Sequence, residues 1–114
     1  MVAGGLWLLF TTIPKQKEPE FLDFVSQNGN TLNLIADSIL NNSAVDNTDI
    51  KELSILKIKK DGVGNVLFLL SSTNFSENGV YRYGGNIHPK NGFDEPTIVK
   101  REQLKDDWYY YAAD

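Results

Sequence analysis

The sequence predicts an α+β domain: one amphipathic helix packed on a mainly antiparallel sheet of four to five strands, preceded by a short apolar N-terminal segment. Three observations carry this. Apolar residues recur at helical spacing over Glu20 to Asn41, and β-rich runs separated by Asn, Gly and Asp clusters fill the rest. The links between those runs are short, which favours a meander of neighbouring strands over crossovers.

The first element is 1–13. Met1 to Pro14 carries no charged side chain and holds Val2, Leu6, Trp7, Leu8, Leu9, Phe10 and Ile13. A helix rises about 1.5 Å per residue and a span needs roughly 20 residues, so 1–13 is too short to cross a bilayer. One reading is a signal or anchor segment missing its start, since no basic residue precedes Val2. A second is a buried central strand over Leu6 to Ile13, and a third an interfacial contact held by Trp7. The polar, proline-bearing stretch 14–19 reads as a linker and favours the first. Lys15 and Lys17, however, favour a cytoplasmic side for the residues after the apolar run, against export. Residues 20–114 then form a single α+β domain.

Phe21, Val25, Leu32, Ile35 and Ile39 fall on one face of a helix, which Phe24, Ala36 and Leu40 widen. Asn28, Gly29 and Asn30 are poor helix formers in the middle of it. The apolar face stays in phase across them, so one weakened helix is expected. Asn41, Asn42 and Ser43 end it, and a loop runs to Thr48.

Leu53 to Lys59 reads as a strand, followed by the turn Asp61 to Asn65 and by Val66 to Leu70, apolar on both faces and therefore central. These two runs make a hairpin with a five-residue loop. Asn74 to Gly79 reads as a loop before the strand Val80 to Tyr83. Asn86 to Pro96 reads as a long loop, Thr97 to Gln103 as a strand, Lys105 to Asp107 as a turn and Trp108 to Ala112 as the last strand.

Composition removes several classes of chemistry. Eleven Lys and Arg against fifteen Asp and Glu argue against a nucleic-acid binder. Without residues 1–19, nine bases stand against fourteen acids, a surface suited to a basic partner. The absence of cysteine excludes disulfides, thiolate metal sites and thiol nucleophiles. A single histidine excludes a multi-histidine metal centre. Neither glycine cluster, 61–65 or 84–86, has the spacing of a phosphate loop. Lys57, Lys59 and Lys60 form the one basic run and suit an edge strand guarded against unwanted pairing.

Two candidate sites follow. His88 lies in the longest loop with Asp94 and Glu95, a set able to hold a divalent ion or orient a base, but none of the familiar metal-binding histidine spacings is present. The commoner case is an ordinary turn histidine. The terminal strand places Trp108 and Tyr110 on one face and Tyr109 and Tyr111 on the other. Such residues anchor partner surfaces, though they more often serve packing. Both faces of one strand being aromatic is more than a single helix can cover, which calls for a homodimer contact or a second covering segment.

The layout resembles that of small bacterial proteins with an apolar N-terminus, one helix and a sheet ending in an aromatic strand. The likeness lies mainly in Leu104 to Tyr111 and brings no activity with it. The expectation is a small non-enzymatic domain, without cofactor or metal, membrane-associated or extracytoplasmic through 1–13, that binds another protein. Its tentative binding residues are Trp108, Tyr109, Tyr110, Tyr111 and His88. The alternative is a cytoplasmic acidic protein of the immunity or inhibitor type that neutralises a basic partner. A third, weaker reading is a hydrolase or metal enzyme centred on His88.

Overall fold

A computed structural model describes residues 20–73, 76–93 and 95–114. The leader reading of 1–13 and the linker reading of 14–19 lie outside the described residues, as does Asp94. The helix α1 covers Ile13–Leu40 and α2 covers Asn47–Glu52. Five strands follow: β1 (Lys57–Lys60), β2 (Val66–Ser72), β3 (Glu77–Arg82), β4 (Ile98–Lys105) and β5 (Trp108–Ala113). The expected class, one helix on an antiparallel sheet, is what the chain adopts. No helix of the described residues is long and apolar enough to cross a membrane.

The weak point of α1 lies at its middle. Asn28 leaves the helical region (φ −119°, ψ 17°), and its side-chain Nδ2 donates to the Phe24 carbonyl at 2.9 Å. That is the carbonyl a backbone N–H at this position takes in a regular helix, so the side chain substitutes for a strained ladder bond and the helix kinks. The apolar face nevertheless holds its phase. Val25, Leu32, Ile35 and Ala36 are all buried, against Val66, Phe68, Val80 and Trp108 of the sheet.

Between α1 and the sheet the chain departs from the sequence reading. A strand from Leu53 is expected, but α2 comes first, capped by Asp46, whose carboxylate accepts from the Thr48 N–H at 2.8 Å. Ser54 then takes a left-handed conformation (φ 57°), which reverses the chain and delays the strand to Lys57. Leu53, Ile50 and Ile55 still pack on the helix-side core. The β1–β2 hairpin closes through 61–65 as expected, and its three lysines lie on an edge strand.

The strand order is β1-β2-β3-β5-β4, with every neighbouring pair antiparallel. The expected meander therefore ends at β3. From there the chain crosses to the far edge, forms β4, and returns as β5 into the gap. The reason lies in β5 itself. Its aromatics are apolar on both faces and are stable only between two other strands.

The expected loop 74–79 is also shorter than its composition suggests. Ser76 turns back on Thr73, and Glu77, Asn78 and Gly79 already belong to β3. Gly79 pairs with Tyr111, whose ring lies over it, and a β-carbon there would fall 2.9 Å from Tyr111 Cε1 and closer still to the Phe68 carbonyl. Glycine is required because an aromatic ring and a backbone occupy the space of a side chain.

Gly79→Ala is expected to cost about 2–4 kcal/mol, since overpacking here meets backbone rather than a flexible side chain. Gly29→Ala, where a β-carbon meets nothing within 4 Å, is expected to be neutral or stabilising. Urea denaturation of the two variants checks the contrast.

Candidate functional site

The second face of the sheet is covered by the crossover segment 83–97. Leu67, Tyr81, Tyr111 and Ala113 form a separate cluster on that face, and Phe93, Ile98, Tyr83 and Tyr109 pack on it. The segment is strapped at both sheet edges: Lys59 on β1 donates to the Gly92 carbonyl, and Arg101 on β4 donates to the Pro89 carbonyl, each at 2.5 Å. Of the two covers that the aromatic strand calls for, the chain supplies one itself.

Two buried polar residues fix the strap at its ends. Asn65 has no exposed surface. Its Nδ2 donates to Asp61 Oδ2 and to the Ile87 carbonyl, both at 2.7 Å, and its Oδ1 accepts from the Gly84 N–H at 2.7 Å. Asp61 Oδ1 in turn accepts from the backbone N–H groups of Val63 and Asn65. The hairpin turn and the start of the strap are thus one network with its polar atoms paired, the condition under which a buried amide is stabilising. Gly84 lies so close to Gly64 that a β-carbon would sit 2.6 Å from its carbonyl carbon. At the other end the buried Glu77 accepts from the Phe93 N–H at 2.7 Å.

His88 sits on the strap over three tyrosines. Its ring stacks on Tyr83 (centroids 3.9 Å, 6° between planes) and meets Tyr109 edge-on at 4.8 Å. Its Nδ1 lies 2.7 Å from the Tyr81 hydroxyl. Burial pushes the Tyr81 phenol well above its ordinary range, and the Arg101 guanidinium only partly offsets this. Burial also lowers the His88 pKa, and Arg101 lowers it further. Both shifts favour a neutral imidazole that accepts the Tyr81 proton at Nδ1 and carries its own hydrogen on Nε2.

The structure thus separates the aromatics read from the sequence. Trp108 and Tyr110 face α1 and are 3% and 4% exposed; Trp108 packs on Phe68 and Tyr110 on Phe21. Tyr111 is fully buried under the strap, its phenol raised by burial and by Glu77. Among these four, Tyr109 joins His88, and Tyr81 and Tyr83 of β3 and its exit complete the group. The sequence gives no sign that Arg101 or Asn65 belongs here, because Arg101 reaches the cluster from β4 and Asn65 from the β1–β2 turn.

Among the described residues His88 is held by aromatic rings and a phenol, and no group of three metal-ligating side chains occurs. Ile87 beside it is 58% exposed, and Val63 on the facing turn is 38% exposed. With the half-buried Tyr83, His88 and Tyr109 they make a rigid aromatic and aliphatic patch at one end of the sheet. Compared with protein-family models, curated proteins and solved structures, the chain matches none.

Two outcomes follow. Asn65→Asp keeps the shape but replaces two donors with a buried carboxylate beside Asp61, and is expected to cost about 2–4 kcal/mol in chemical denaturation. For His88, a folded pKa below the unfolded value of 6.5 means that the unfolded chain takes up the proton first. The stabilisation from neutral His88 is complete above about 6.5 and is lost progressively as pH falls below it. The difference in melting temperature between wild type and His88→Asn is therefore expected to be larger at pH 7.5 than at pH 5.

Proposed function

We propose that this chain is a small non-enzymatic domain that binds another protein through the patch around Ile87, Tyr83, His88 and Tyr109, and that residues 1–13 hold it at a membrane or direct its export. The observation that carries the binding reading is an isoleucine left largely in water on a segment that is otherwise pinned. The Ile87 carbonyl is fixed by buried Asn65 while its side chain points away from both clusters. An apolar side chain held out on rigid backbone loses little entropy on docking, and flanking Tyr and His rings supply the contact area that anchors interfaces. The apolar sequence of 1–13 supports the membrane part.

A second reading is favoured by charge. Asp61 lies in the hairpin turn beside the patch, and Asp106 and Asp107 form the β4–β5 turn, whose Asp107 carbonyl accepts from the Tyr83 N–H. An acidic rim around an aromatic centre suits a cytoplasmic immunity or inhibitor protein that neutralises a basic partner.

A photo-crosslinker placed at Ile87 is expected to trap a defined partner in the native cell, and one at Leu34, exposed on the outer face of α1, to trap none. Ile87→Asp is expected to abolish capture of that partner from wild-type sites nearby without lowering the melting temperature. Equal capture from both positions overturns the binding patch. Fractionation of the native gene product separates the two placements. Recovery wholly in the soluble cytoplasm, with a basic partner, rejects the tether and supports the second reading.

A further inference from the structure

We propose that the cleft at the α1 kink, on the opposite side of the sheet from the His88 patch, binds a small neutral polyhydroxylated molecule such as a sugar unit. The cleft has a volume of about 390 Å³, within the range of roughly 300–1,000 Å³ typical of small-molecule sites. Its walls are carboxamides: Gln27, Asn28, Asn30 and Asn33 from the kinked turn, with Lys105 and Asp106 from the β4–β5 turn across from them.

The donor set selects the ligand. Each carboxamide offers a donor and an acceptor in one plane, the combination that a vicinal pair of hydroxyls, each also donor and acceptor, can satisfy. Asn28 donates its amide to the Phe24 carbonyl, and Asn33 accepts from Arg82 with its oxygen, so the acceptor of the first and the donor of the second are the groups a ligand would use. Lys105 and Asp106 carry opposite charges, so the lining has no net charge with which to select an anion or a cation. Val25 and Trp108 close the bottom of the cleft but are themselves buried in the core, so recognition falls to the polar side chains of its walls.

The helix also gives up stability to make this cleft. Its apolar face is in phase on both sides of Asn28, so better helix formers at 28–30 would give a straight, more stable element over the same core. Local choices that oppose the fold without a packing reason mark functional positions. Gly29 has nothing within 4 Å of where its β-carbon would be, so glycine is not required there by crowding. What it leaves is open space at the mouth of the cleft.

The test is a titration of the full chain, followed by amide NMR, with D-glucose, D-galactose, N-acetyl-D-glucosamine and maltose in turn, and with citrate and glycylglycine as charged and peptide probes. At least one sugar is expected to give saturable shifts confined to residues 25–33 and 105–108. Gly29→Phe, which fills the mouth, is expected to weaken that binding by at least about tenfold without lowering the melting temperature. If Gly29→Phe does lower it, Asn30→Ala, at an exposed position, takes its place in the same comparison. Absence of saturable shifts with every sugar, shifts with citrate or glycylglycine alone, or undiminished binding in the variant overturns the proposal.

Discussion

The constraint on which the rest depends is that the middle of the sheet is apolar on both faces. Val66, Phe68 and Val80 point to the helix, while Leu67, Tyr81 and Tyr111 point the other way. An antiparallel sheet can leave one face wet, but not with residues of this kind. One amphipathic helix covers one side only. The chain meets the second requirement with irregular backbone, and backbone laid over a sheet face brings polar groups that need partners. Asn65 and Glu77 accordingly stand as buried polar side chains at the ends of the strap, each bonded to its main chain. Their burial is a consequence of using a loop where other folds use a second helix or sheet.

The same constraint explains the crossover. A meander would have left the aromatic last strand at an edge, with its backbone half-paired and its rings on both faces in water. Placing β4 outside it encloses β5 and gives the edge to Ile98–Lys105, a strand rich in charge and interrupted by two register shifts. Bulges and charges are how natural sheets keep an edge from pairing with another chain. The lysines of β1 do the same at the opposite edge.

How much of this was legible in the sequence depends on whether the controlling interaction was local. The α1 face, the five-residue hairpin and the two-sided character of β2 follow from periodicity and turn chemistry, and all three hold. Asn78 and Gly79 read as turn because both are turn formers, and Glu77 falls in the same stretch; all three are strand because Phe93, Tyr110 and Tyr111 supply their partners from far along the chain. Leu53 to Leu56 reads as strand by composition, but Asp46 capping α2 and the left-handed Ser54 decide otherwise. The Asp46 cap, two residues from Thr48, was readable; the conformation of Ser54 was not. At the candidate patch, His88 and Tyr109 were visible as residue types. Their meeting was not, because it needs the strap to lie on the far face.

The two surfaces singled out here are products of one economy in the fold. A loop strong enough to serve as a wall must be pinned, and pinning leaves side chains such as Ile87 with no inward direction to take. A helix that serves as the other wall needs only its buried stripe, so its outer turn at 27–30 is free of packing duty and tolerates a kink. In both places the core determines the backbone while leaving the outward side chains undetermined by folding. Those are the positions at which a sequence can carry binding chemistry at small cost to stability.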